Sequence, residues 1–417
     1  MIQIGCTSQK MNEDFLLAPG GFAWWYLDLI TPEGDGLVLI WSYGLPFLPG
    51  YADGARRGHA QRPVERPSVN VVVYEKGRAS FYLLQEYPST APSPSNPLSH
   101  KGRGGTVCCR TDAPVTGYAS TLLPSWERGG EPKRAGVRAQ PEQPQVQQIG
   151  DCRFESRVVD GRLLLEVNLD CPVPGSTDRL TGTVRVEGVA RRPSERFSFS
   201  ADAPHLWTPL TGPAVGEAML DLGRTPVARL RGRAYHDRNG GGQPLHELGI
   251  HRWMWGRFPL EECELIYYLL WPTAAGEPPR LLGLTIDREG VTQVTEELTV
   301  ELGRERRGFA GIRWPETVIL LRDGTPWAMI RHCSVVDNGP FYLRFESRVT
   351  TGRGEHVLGW GELCEPDRVD LALYRPLVRM RVHHAAARNS PWLPLFSGPH
   401  AGRVGRWMRS LLPGGAE

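Results

Sequence analysis

A mostly β chain, folded as two antiparallel barrel or sandwich units in tandem with few short helices, is what this sequence predicts. Three observations carry that expectation. Glycine (48) and proline (36) are abundant enough to divide the chain into many short elements. Most segments are short, strand-like runs rich in aromatic and β-branched residues, and few stretches carry the 3.6-residue stripe of a helix. The chain also repeats itself. Trp24-Trp25 and the run GLVLIWSYG have counterparts in Trp253, Trp255 and CELIYYLLW, and the pentapeptide FESRV at 154–158 recurs letter for letter at 345–349. At 417 residues the chain is too long for one ordinary core. The repeat divides it into an N-terminal unit over 1–245 and a C-terminal unit over 246–417.

In chain order, residues 1–20 read as a loose arm. GFAWWYLDLITPEGDGLVLIWSYG reads as a hairpin turning over 32–36, and SVNVVVYEKGRASFYLLQEY as a second, turning at Glu75-Lys76-Gly77. Residues 88–150, rich in Pro, Ser, Gly and Gln, read as a long insertion. Strands resume at CRFESRVV, RLLLEVNL, GTVRVEGV and RFSFSA. They continue after the central stretch at RLLGLTID, TQVTEELTV, TVILLRD, WAMIRHCSVVD, FYLRFESRV and HVLGWGELCE. RVGRWMRSLL near the C-terminus is the best helix candidate.

Composition sets outer limits on function. A net charge of +2, with arginines scattered among acids, gives no footprint for nucleic acid. No run approaches 18 apolar residues, so no stable membrane insertion is expected, and no signal peptide is legible at the N-terminus. Eight Cys without a C-x-x-C pair fit a reducing, cytoplasmic setting. Nucleotide-binding glycine loops and serine-hydrolase elbows are missing. His246-Glu247-Leu248-Gly249-Ile250-His251 is spaced one residue too long for a helical zinc pair, so no metal is expected.

Thirteen Trp is a high count; most of them fill cores, and an excess of Trp and Tyr also suits a pocket for a large apolar ligand. The densest passage runs from Tyr235 to Tyr268. On the first predicted strand Trp24, Tyr26 and Asp28 share a face, an arrangement foreign to a plain core. Asp28, Asp237, Tyr26, Tyr267 and Tyr268 are the candidates for moving protons, because a carboxyl buried among aromatics stays protonated near neutrality. Trp24, Trp41, Tyr43, Glu86, Tyr235, His236, Arg238, Asn239, Trp253 and Trp255 are candidates for lining the substrate. The competing reading of Asp237-Arg238-Asn239-Gly240-Gly241 is a turn in which the Asp and Asn side chains satisfy backbone donors.

WWYLD, NVVVYEKGRASFYLLQE, YHDRNGG, WMWGR and GWGELCEPDRVDLALYRPLVRM, in this order and spacing, resemble the carotenoid 1,2-hydratase (hydroxyneurosporene synthase) family. That family belongs to a set of two-domain lipocalin-like proteins that includes isoflavonoid hydratases and lipocalin-like Diels–Alder cyclases. The resemblance implies two lipocalin-like barrels, no metal or organic cofactor, and an isoprenoid or polyene substrate; with the aromatic lining, the expectation is a hydrophobic polyene, terpenoid or polyketide. The family motif Asp-His-Asn-Trp-Gly reads Asp237-Arg238-Asn239-Gly240-Gly241 here. Tyr267 or Tyr268 matches the family's later Tyr, while Tyr268 or Leu269 occupies the place of the acid thought to protonate the alkene. Loss of that acid turns the expectation toward cofactor-independent cyclisation, with hydration of an alkene and non-catalytic carriage as alternatives.

Overall fold

In the computed structural model of the chain, residues 2–5, 13–88, 144–192, 205–274, 276–295, 297–385 and 388–411 are described. Most of the 88–150 insertion and all of the RFSFSA run lie outside them.

The first sheet takes β1 (Ile2–Ile4), β2 (Phe22–Ile30), β3 (Gly36–Tyr43), β4 (Pro67–Glu75), β5 (Arg78–Glu86), β6 (Gln145–Ile149), β7 (Cys152–Val159), β8 (Arg162–Pro172), β9 (Arg179–Ala190), β10 (His205–Pro209), β11 (Thr211–Leu222) and β12 (Thr225–Gly241). The second takes β13 (Ile250–Pro259), β14 (Cys263–Pro272), β15 (Arg280–Asp287), β16 (Thr292–Thr295) and β17 (Leu298–Leu302). After the separate hairpin β18 (Glu305–Arg307) and β19 (Arg313–Pro315), it resumes with β20 (Thr317–Arg322), β21 (Thr325–Asn338), β22 (Tyr342–Thr351) and β23 (His356–Cys364). The chain then returns to the first sheet, where β24 (Val382–His384) and β25 (Gly398–Pro399) both pair with β5.

In each sheet an early strand pairs with one much later in the chain, which curls the sheet. β2 lies between β3 and β12, and β13 lies between β14 and β23. Each encloses an apolar core, one built on Trp25, Leu27, Leu39, Val71 and Val184, the other on Met254, Phe258, Leu269, Val318 and Phe345. The fold is therefore mostly β and barrel-like, as the sequence predicts. The shared topology of the two sheets accords with an internal repeat, but the FESRV pentapeptides do not mark it. One lies on β7, near the far edge of the first sheet, and the other on β22, next but one to β13.

A third apolar cluster lies between the sheets and positions the site. Strand β2 is buried along its whole length because its two faces serve different cores. Ala23, Trp25, Leu27 and Leu29 point into the first barrel, while Phe22, Trp24, Tyr26 and Ile30 meet Trp253, Trp255, Tyr268 and Trp360 of the second sheet. Period two on a doubly covered strand thus divides a run of nine residues between two environments.

Two expectations need correction. The arm is not loose throughout: Ile2–Ile4 pairs in parallel with β10, and Glu13–Leu17 is a helix. Residues 237–241 form no turn. Flanked by β2 on one side and β10 on the other, they continue β12 as an extended strand through Gly241. Backbone pairing from both sides outweighs the local turn preference of Asp-Arg-Asn-Gly-Gly.

Candidate active site

The seam between the sheets brings together Trp24, Tyr26, Asp28, Tyr235, Asp237, Asn239, Trp253, Trp255 and Tyr268. Register accounts for the grouping. Asn239, Asp237 and Tyr235 on β12 stand opposite Trp24, Tyr26 and Asp28 on β2. Tyr268 on β14 stands opposite Trp255 on β13, which in turn faces Glu362 on β23. A chamber of about 30 Å³ is lined by Trp24, Tyr26, Trp207, Asp237, Trp253, Trp255, Tyr268 and Glu362 among others. Sharing Trp24, Tyr26, Trp253 and Glu362, a cavity of about 120 Å³ extends from it past Ile40, Phe47, Val72, Leu84, Phe341 and Val378. A larger depression of about 450 Å³ lies over β7 to β12, but Glu155, Arg157, Glu166, Arg185 and Glu187 line it, which suits solvent rather than an apolar ligand.

Asp237 is one of two acids in the wall of the small chamber, the other being Glu362. Its Oδ2 accepts hydrogen bonds from the Trp207 indole at 2.8 Å and the Tyr235 hydroxyl at 3.0 Å, and its Oδ1 accepts one from the Asn239 amide at 3.0 Å. The Asn239 carbonyl in turn meets His205 Nε2 at 3.0 Å. Burial is the dominant influence on the carboxyl and pushes it up to about 8, against the opposing pull of the Trp207 and Tyr235 donors. Asp237 is therefore mostly protonated at neutral pH. His205 is driven down to about 4, chiefly by burial, and is neutral there.

Asp28 plays a different part. It is fully buried and takes the Arg257 guanidinium on Oδ1, from Nε at 2.9 Å and from Nη2, while Oδ2 accepts the Tyr26 hydroxyl at 2.8 Å. Arg257 also donates to Glu264 Oε1 at 3.1 Å. Burial would lower the guanidinium's pKa, but the Asp28 and Glu264 carboxylates overcome this and raise it. Burial, opposed by Arg257, carries Glu264 up to about 7. On the other side of Tyr26, Arg344 donates to the phenol oxygen at 2.8 Å and to Glu362 Oε2 at 3.1 Å. Glu362 also accepts the Tyr342 hydroxyl at 2.9 Å and, weakly, the Trp253 indole at 3.4 Å. A continuous polar line thus runs Glu264, Arg257, Asp28, Tyr26, Arg344, Glu362, with Glu362 facing both parts of the cavity.

Several sequence candidates lie elsewhere. Tyr267 and Tyr268 are separated by the strand's alternation: Tyr267 enters the core of the second barrel, where its hydroxyl has no partner. His236 lies on the opposite face of β12 from Asp237, with Nδ1 2.8 Å from the Tyr26 carbonyl and its ring against Phe154, and Arg238 shares that face by the same alternation. Trp41 and Tyr43 belong to the core of the first barrel. Glu86 is held at the end of β5 by ion pairs to Arg66 and His384.

Sequence reasoning passed over Trp207, Arg257, Glu264, Arg344 and Glu362. Period two was signal enough for Arg257, which shares a face with Trp253 and Trp255, and for Glu264, which shares one with Tyr268. Glu362 alternates with Trp360 and Cys364 in GWGELCE in the same way. Trp207 had no such signal, because its strand is only five residues long. Among the described residues no three His, Cys, Asp or Glu side chains group closely enough to hold a metal, and no helix is long and apolar enough to cross a membrane.

Comparison with known proteins places this geometry. Hydroxyneurosporene dehydrogenase of Chlorobaculum tepidum is 27% identical over 395 residues, covering 90% of this chain and 91% of that protein. Acyclic carotenoid 1,2-hydratase of Thiocapsa roseopersicina is 27% identical over 247 residues, 58% of this chain and 46% of that longer protein. Among solved structures, a putative AttH from Nitrosomonas europaea superposes with a TM-score of 0.50 at 14% identity, covering 85% of this chain and 94% of that one. CghA bound to Sch210972 gives 0.50 at 12% identity, covering 86% and 93%. At those identities the two structures speak for the lipocalin-like fold alone. The sequence pattern of the family described as carotenoid hydratase CrtC matches residues 135–391, more than half of the chain and the greater part of the seam, so the chain belongs to that family.

Proposed function

We propose that the protein adds water to a carbon–carbon double bond of a hydrophobic polyene of isoprenoid type, without a cofactor, using Asp237 as the proton donor. One observation carries this reading: a buried carboxyl, pushed up to about 8 by desolvation, stands in the wall of a mainly aromatic chamber formed by Trp24, Tyr26, Trp207, Trp253, Trp255 and Tyr268, with Asn239 and Glu362 completing the lining. The family acid that is missing from the position of Tyr268 or Leu269 thus has a replacement on the neighbouring sheet.

The Asp237 proton passes to one alkene carbon, and the π electrons form the new C–H bond. The cation left on the other carbon lies among aromatic faces whose electron-rich surfaces favour positive charge. Water adds to that carbon through oxygen, and its surplus proton returns to the Asp237 carboxylate, which restores the enzyme. Glu362, held by Arg344 and Tyr342, is the acceptor that orients the water. Hydrogen bonds from Trp207, Tyr235 and Asn239 keep Asp237 aimed and stabilise its anion in the interval.

A second reading, cyclisation, is favoured by the aromatic wall of the chamber: a cation held among Trp24, Trp253, Trp255 and Tyr268 is open to capture by another double bond of the same chain. Incubation with an acyclic polyene followed by mass spectrometry separates the two. A gain of one water supports hydration. An isomer of unchanged mass with fewer double bonds moves the assignment to cyclisation, and substrate recovered unaltered, with binding retained, makes the protein a carrier.

A further inference from the structure

Three of the most exposed large apolar side chains gather on two adjoining loops. Phe309, 85% exposed, is near the tip of the turn between β18 and β19. Leu371 and Leu373, 50% and 76% exposed, belong to the segment that follows β23. The loops are tied together at one point: the Ala310 carbonyl accepts the Tyr374 hydroxyl at 2.9 Å and also the Arg368 guanidinium. Arg368 lies over the Tyr374 ring and donates to the Pro340 carbonyl at 2.9 Å. The apolar residues therefore project from a braced platform.

Charge around the platform is uneven. Arg307 and Arg313 stand directly opposite each other in the β18–β19 ladder, an unfavourable like-charge pairing, and both are exposed. Arg313 meets Glu305 only at 3.6 Å. The acids of the adjoining segment are taken up internally, Asp367 and Asp370 by Arg56 and Glu365 by Arg368. Arg379 is exposed on the same segment. An aromatic turn tip flanked by basic side chains matches an anionic interface with an apolar layer beneath it. The platform also continues into the cavity wall: the residues just after Leu373 include Val378, Arg381 and Val382, and Pro340 precedes Phe341, all four of which line the larger cavity.

We propose that Phe309, Leu371 and Leu373, with Arg307, Arg313 and Arg379 around them, dock the protein on the surface of an anionic lipid bilayer. The docked orientation sets the mouth of the seam cavity against the acyl layer, so a lipophilic substrate crosses without entering water. The docking stands on the surface residues alone; only the passage of substrate rests on the proposed hydration of a polyene.

Flotation of the full chain with phosphatidylcholine vesicles, with and without about a third phosphatidylglycerol, tests the docking. The expected result is recovery with the anionic vesicles, weakened by raised salt, and a loss of roughly tenfold or more in the double variant Phe309→Ser, Leu373→Ser at an unchanged thermal midpoint. Arg307→Gln with Arg313→Gln removes the preference for phosphatidylglycerol. A wild-type chain that stays in the unbound fraction with both vesicles, or a double variant that floats as well as wild type, overturns the proposal. So does sedimentation showing a dimer that the double variant dissociates, which assigns the patch to a second copy. Turnover separates the two ideas: the double variant keeps its rate on detergent-dispersed polyene and loses it on vesicle-borne polyene, whereas failure of both proteins on both substrates counts against the hydration alone.

Discussion

At Asp237, desolvation and hydrogen bonding pull in opposite directions, and desolvation prevails. An acid that must be protonated to act loses its function as pH rises through its own pKa. Turnover is therefore expected to be level below neutrality and to decline through about pH 8. Asp237→Asn keeps the shape and removes the proton, so kcat is expected to fall by about 10²–10⁴-fold with binding retained, as a polyene absorbance titration would show. Stability obeys the matching sign. Folding raises the pKa of Asp237 and Glu264 above the ordinary carboxylate values near 4, so the folded chain holds more protons than the unfolded one from about pH 4 to about pH 8. Their contribution is complete below that window and is lost as pH rises through it; urea midpoints across the range, flatter in Asp237→Asn, would check this. Tyr267 provides the contrast. Its hydroxyl is buried without a partner, so Tyr267→Phe is expected to keep full activity and to hold or gain up to about 1 kcal/mol of stability.

At the scale of elements, the segment after Val378 acts as a strap. β24 extends the first sheet along β5, while Arg381 grips Asp337 of β21 in the second sheet through contacts of 2.9 and 3.0 Å. Val378, Arg381 and Val382 all line the cavity. Arg381→Met should loosen the strap and leave the sheets intact: amide exchange at Val382–His384 is expected to quicken at least tenfold, with β13 and β14 unchanged. Elements of this kind explain what the sequence made legible. β2, β3, β4 and β5 are readable because runs rich in β-branched and aromatic residues flank plain turn residues there. The shared face of Trp24, Tyr26 and Asp28 followed from period two alone. The 237–241 strand was hidden because its residues favour a turn locally and are overruled by neighbours distant in sequence. Tyr267 and Tyr268 are indistinguishable in the sequence because a doubly buried strand gives no contrast in polarity between its faces.

At the scale of the whole molecule, the two barrels are joined by a third core as continuous as either of their own, threaded by ions that are balanced across it. Asp28 of the first sheet and Arg257 of the second are both fully buried, and each is the other's main counter-charge. Asp28→Ala leaves a guanidinium stranded in the seam, and chemical denaturation is expected to show a loss of about 3–5 kcal/mol. The same reasoning predicts that residues 1–245 and 246–417, produced separately, would each expose half of the seam and aggregate, and that co-refolding would restore a single cooperative transition. Light scattering and calorimetry of the halves and their mixture would decide it.

The return of β24 and β25 to the first sheet has a consequence for biogenesis. The ribosome makes the strap only after every strand it covers, so both barrels can close while the hollow between them is still unroofed. A nascent chain halted short of Val378 would present a greasy trough lined by Trp24, Phe47 and Trp253, an obvious target for chaperones. Closure of that trough is therefore expected only once the chain has been made through His384.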